Sequence, residues 1–98
     1  MEFTLHRTLR TPHSERYLLQ AQGKDVAALE LHYLIKGKVD GTLIIFEGAG
    51  MSEADAPETL HKIDAMLLPD VSIEAHNLSF TVVMGKVLGA FLPDERKT

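Results

Sequence analysis

The stretch Gly41-Thr42-Leu43-Ile44-Ile45-Phe46-Glu47-Gly48-Ala49-Gly50 runs on into Met51-Ser52-Glu53-Ala54-Asp55-Ala56-Pro57-Glu58-Thr59-Leu60-His61-Lys62-Ile63-Asp64-Ala65-Met66-Leu67-Leu68-Pro69. Its reading decides the fold: a buried strand, a glycine-rich turn and the one convincing helix of the chain. Leu43 to Phe46 contain no polar break, which suits a central strand covered on both faces or a strand at an interface. Asp55-Ala56-Pro57-Glu58 has capping-box spacing, with Asp55 accepting from the backbone of residue 58 and Glu58 reaching back. Pro57 then lies in the first turn, where its missing donor would be unpaired anyway. Leu60, Ile63 and Leu67, joined by Ala56 and at its edge Met66, form an apolar stripe. Pro69 ends the helix at Leu68, because a residue before proline is pushed out of helical geometry.

Working outward from the helix, the flanking segments read as strands. Glu2 to Arg10 alternates with period two, placing Phe3, Leu5 and Leu9 on one face, interrupted by Arg7. After the turn Thr11-Pro12-His13-Ser14, Arg16 to Gln22 puts Tyr17, Leu19 and Ala21 together. Gly23-Lys24-Asp25 closes a hairpin to Val26–Lys36, where Leu29, Leu31, Tyr33 and Ile35 share a face. Lys36-Gly37 and Asp40-Gly41 are turn signals. Beyond the helix, Val71 to His76 alternates as a short strand. Leu78 to Leu92 is either a hairpin about Gly85-Lys86 or one long bent strand. The order ββββαββ, with room for a seventh strand, defines an α+β domain: a curved, mainly antiparallel sheet, open or closed into a barrel, packed on a single helix. One domain spans residues 1–93, and 94–98 form a charged, frayed tail.

Composition narrows the function classes. A chain of 98 residues holds one core. It has no cysteine, so disulfides and thiolate metal sites are excluded. A net charge of −4 opposes general nucleic-acid binding, although Arg7, Arg10 and Arg16, with His6 and His13, make the opening segment locally basic. The first twenty residues lack the apolar run of a signal peptide. Val82 to Leu92, broken by Gly85, Lys86 and Gly89, falls short of the roughly 20 residues a membrane helix needs. The expectation is a cytoplasmic protein that engages neither membrane nor nucleic acid.

Three patterns are candidates for chemistry. Gly48 and Gly50, between a strand and a helix, stand where anion-binding loops occur; the third glycine of a dinucleotide fingerprint and the Gly-Lys-Ser/Thr of a P-loop are missing. Glu47, Glu53, Asp55 and Glu58 add negative charge around that turn. Glu30-Leu31-His32 and Glu74-Ala75-His76 repeat Glu-x-His on two strands. Residues two apart share a strand face, so Glu30, His32, Glu74 and His76 form a candidate set of ligands for a divalent metal such as Zn²⁺ or Fe²⁺. His61 and Asp64, three apart on the helix, could pair as a base and its orienter. None of the three is joined to a nucleophile or to a complete cofactor motif, and no cofactor is expected beyond that metal.

The remaining signal concerns assembly. One helix of roughly 14 residues covers only three or four strands, whereas six or seven strands carry apolar faces. A monomer would leave a large apolar patch in water unless the sheet closed into a barrel, and the uniformly apolar C-terminal segment favours a second copy instead. The sequence therefore points to a homodimer burying Val82, Met84, Val87, Leu88 and Phe91. The leading functional reading is a self-associating binding or assembly module without catalytic activity. The alternative is a small metal-dependent or small-molecule enzyme using the Glu-x-His strands.

Overall fold

The computed structural model describes residues 1–67 and 77–89. Four consecutive strands, β1 (Thr4–Thr11), β2 (Ser14–Ala21), β3 (Lys24–Tyr33) and β4 (Val39–Phe46), form an antiparallel meander. The chain then enters helix α1 (Ala56–Leu67) and returns as β5 (Leu78–Gly85), which pairs parallel to β4. Spatial order follows chain order, so the sheet is open, with β1 and β5 as its edges among the described residues. The α+β class, the four leading strands and the single helix agree with the sequence reading. Parallel pairing at β5 follows from the helix, because antiparallel neighbours need only a tight turn and parallel ones a crossover. The strand expected over Val71–His76 lies outside the described residues, as does the charged tail.

Period-two alternation puts one row of side chains from each strand on the helix-bearing face of the sheet. Leu19, Leu29, Leu31 and Leu43 are fully buried there, with Ile45, against Ile63 of α1. Ala56, Thr59 and Ile63 are the buried helix positions, with Leu60 and Leu67 partly buried beside them, and this spacing is one face of an α-helix. Each such aliphatic side chain contributes about 1.5–3 kcal/mol through burial. The opposite sheet face carries half-buried Leu18, Ala28, Ile44 and Phe46 among polar neighbours.

Several local expectations are corrected. Helix α1 begins at Ala56, directly after Asp55 as expected, but a single 3-10 turn, Glu53–Asp55, with Ser52 as its N-cap, precedes it. The Asp55 carboxylate accepts from the Ser52 backbone N–H at 2.8 Å and from its hydroxyl at 3.1 Å. Pro57 tolerates this preceding turn because the Ala56 N–H bonds to the Glu53 carbonyl, the acceptor that Pro57 has no donor to reach. Glu58 does not reach back; it meets Lys62 at 3.4 Å and the Met1 amine at 3.6 Å. Asp40-Gly41 is no turn and lies inside β4. There the Phe80 ring of β5 covers Gly41 so closely that a Cβ would stand 2.4 Å from Cε1. Ile35 does not extend the β3 face: it begins a one-turn 3-10 helix, Ile35–Gly37, and is 82% exposed. Of the two readings for Leu78–Leu92, the strand ends at Gly85, residues 86–89 carry no regular structure, and 90–92 lie outside the described residues.

Candidate functional site

The densest polar cluster was not predicted as a site. Glu15, the second residue of β2, continues the face of Tyr17, Leu19 and Ala21 by period two and is 7% exposed. Its Oε2 accepts from the Tyr17 hydroxyl at 3.0 Å and the Tyr33 hydroxyl at 2.7 Å. Its Oε1 accepts from Arg7 Nη1 at 3.5 Å and from Arg10 Nη1. Arg10 also lies over the Tyr33 ring, 5.6 Å from its centroid.

A β-bulge assembles the two arginines. In an unbroken strand, positions 7 and 10 face opposite ways. Arg7 pairs with Tyr17 and Leu9 with Arg16, so Thr8 is an extra residue between them. Its hydroxyl bonds to the Arg16 carbonyl at 3.3 Å. The inserted residue brings Arg10 opposite Glu15, onto the same face as Arg7. It also turns Leu9 away from the Phe3 and Leu5 face expected for it, leaving it 44% exposed.

Burial alone would raise the Glu15 carboxyl, but hydrogen bonds from Tyr33, Tyr17 and Arg10, with the Arg10 charge, outweigh it and hold the group below the ordinary glutamate value. The Tyr33 phenol is pushed up to about 12, first by burial and then by its bond to the Glu15 carboxylate and that group's charge. Tyr17 moves the same way for the same leading causes. The signal in the sequence was Glu15 itself, an acidic residue continuing an apolar period-two face. Starting the strand at Arg16 hid it.

The predicted site residues are placed as follows. Glu30 and His32 share the face of β3 away from the helix, with Glu30 Oε2 3.9 Å from His32 Nε2. Glu30 Oε1 is taken by Arg16 Nε at 3.1 Å. Glu74 and His76 lie outside the described residues. Among the described residues no three acidic or histidine side chains gather as a metal would need. Gly48 and Gly50 have φ of +78° and +110°, which accounts for glycine at both positions as the chain leaves β4. His61 is exposed and Asp64 half-buried. The basic opening segment is divided: Arg7 and Arg10 face Glu15, Arg16 faces Glu30, and His6 bonds to the Thr4 hydroxyl at 2.9 Å. No helix among the described residues is long and apolar enough to cross a membrane.

Of the proposed interface residues, Val82 is 38%, Met84 51%, Val87 62% and Leu88 90% exposed. Phe91 lies outside the described residues. Val83, on the other face of β5, is 44% exposed. A groove of about 500 Å³ runs beside β5, lined by Ile45, Ala56, Pro57, Val82 and Met84, with Glu53 at its polar side.

No protein family, curated protein or solved structure matches the chain. The reading of function therefore rests on the residues themselves.

Proposed function

We propose that the protein is a self-associating assembly module, without catalytic activity, that forms a homodimer through the outer edge of β5. The contrast between the two sheet edges found among the described residues carries this reading. Native sheets protect an exposed edge with charge and with bulges. β1 has both: Arg7 and Arg10 within eight residues, and the bulge at Thr8. β5, Leu-Ser-Phe-Thr-Val-Val-Met-Gly, has no charged residue and no break in its register with β4. Antiparallel pairing of two such edges about a two-fold axis places no like charges opposite each other and continues the sheet from one copy into the next. Val82 and Met84 would be covered on the helix-bearing face and Val83 on the other, with Val87 and Leu88 following.

The test is the mass in solution. Light scattering at micromolar concentration is expected to give twice the 10.9 kDa chain mass. Val83→Lys, at an exposed position, is expected to give a folded monomer. Monomer mass for the wild type, or an unchanged dimer for Val83→Lys and Val82→Asp, overturns the reading.

A second reading, a metal-dependent enzyme on the Glu-x-His strands, draws on the approach of Glu30 to His32. It requires Arg16 to release Glu30 and Glu74 and His76 to complete the ligand set. Zn²⁺ would then raise the melting temperature by mass action, and His32→Ala would abolish the rise.

A further inference from the structure

We propose that Arg7 and Arg10 form a binding site for an oxyanion, the phosphate or carboxylate group of a small ligand, with Glu15 as the internal counter-ion that holds both guanidinium groups in place.

The donor count supports this. A carboxylate accepts about four hydrogen bonds, and Glu15 has four: two tyrosine hydroxyls on Oε2 and two guanidinium nitrogens on Oε1. Its capacity is filled. Each arginine carries five N–H donors in a rigid fork and gives Glu15 one nitrogen, Nη1. The arginine side chains are 56% and 52% exposed, against 8% for that of Glu15, so the donors not engaged by Glu15 or, for Arg10, by Tyr33 face solvent where a ligand can reach them. Two positive charges meet one negative charge, leaving a local surplus of one on a chain whose net charge is −4. The surplus matches a single oxyanion, and paired planar forks match the geometry of carboxylate and phosphate oxygens.

Stability alone is a poor reason for the arrangement. A buried ionic cluster is often no more stabilising than apolar residues of similar volume. Here it is accompanied by a bulge whose effect is to put Arg7 and Arg10 on one face. Bulges are common beside functional sites because they re-aim a side chain. The cluster also presets its donors: Arg10 is braced on the Tyr33 ring, and Tyr33 and Tyr17 keep the second carboxylate oxygen occupied. An incoming anion would therefore meet guanidinium groups already oriented, which lowers the ordering cost of binding. The site belongs to the β1 edge and is independent of the β5 interface.

Inorganic phosphate is the probe, titrated at constant ionic strength into the full chain labelled with ¹⁵N. Saturable shifts are expected, confined to the amides of residues 7–17 and Tyr33. Arg7→Gln removes one fork at a half-exposed position and is expected to weaken the apparent affinity about tenfold or more, as loss of a charged hydrogen-bond partner does. Arg16→Gln, on the opposite face and paired with Glu30, is expected to leave it unchanged. Pyrophosphate and citrate arms distinguish a phosphate-bearing from a carboxylate-bearing ligand, since the preferred group gives the tighter saturable binding. Shifts that never saturate, an equal loss in Arg16→Gln, or undiminished binding in both Arg7→Gln and Arg10→Gln would overturn the proposal.

Discussion

Glu15→Gln isolates the charge of the buried carboxylate while keeping its shape. The glutamine oxygen still accepts, but the bonds from Tyr17 (3.0 Å) and Tyr33 (2.7 Å) lose an ionised partner. A hydrogen bond to a charged group is worth about 1.5–3 kcal/mol and roughly twice a neutral one, so two such bonds lose together about 2 kcal/mol. The arginines add little, because their side chains are more than half exposed and return to water. For a domain of this size a loss of about 2 kcal/mol lowers the melting temperature by ~8–16 °C.

The sign of the pH dependence makes the test specific. Glu15 has a folded-state value below its ordinary 4.5. Its contribution is thus fully present above the ordinary value and is lost as pH falls through the folded-state value. Urea unfolding of both proteins, stepped from neutral pH to about pH 3, should show a constant difference near neutrality that narrows in acid. The narrowing arises because the protonated wild-type side chain comes to resemble glutamine. A difference that is absent at neutral pH, or that stays constant through the acid range, would refute the reasoning that the carboxylate is held ionised by its four donors.

Three further outcomes are expected. Gly41→Ala forces a Cβ into the Phe80 ring and should cost about 1–3 kcal/mol, measured by denaturant melts; adding Phe80→Ala should make the pair non-additive. Ile63→Ala, in a fully buried helix position, should destabilise by about 2–5 kcal/mol without changing the sheet signals in the NMR spectrum. Tyr33 has a raised folded-state value of about 12, so its contribution is present below the ordinary value of 10 and falls away as pH rises from 10 toward 12; alkaline melts should show that loss in the wild type and not in Tyr33→Phe.

The sequence made the architecture legible where a single period ran undisturbed. Leu60, Ile63 and Leu67 gave the helix face, and Tyr17, Leu19, Leu29 and Leu31 gave the buried rows of β2 and β3. It failed where a contact between strands decides the local choice. Asp40-Gly41 has the chemistry of a turn, but a glycine without a side chain is also what Phe80 needs beneath its ring, and that ring arrives from a strand 39 residues later. Likewise Ser52 and Asp55 both qualify as a cap. The 3-10 turn that precedes α1, closed by the bond from the Ala56 N–H to the Glu53 carbonyl, has no marker in the residue types.

The candidate site was hidden for a related reason. Arg7, Arg10, Glu15, Tyr17 and Tyr33 come from three strands, and the register that unites them depends on one extra residue at Thr8. Without the bulge, Arg10 would point to the side of Arg16 and Glu30, and Leu9 would join Phe3 and Leu5 on the core face. Period-two reasoning therefore assigned Leu9 to the core and treated Arg7 as an interruption. The bulge reverses both assignments at once, and it does so on the edge strand, where a departure from ladder geometry disturbs only one neighbour. The same irregularity that protects β1 from pairing with another chain thus aligns its two arginines. β5, with no bulge and no charge, is the other edge among the described residues, which is why the proposed pairing is placed there.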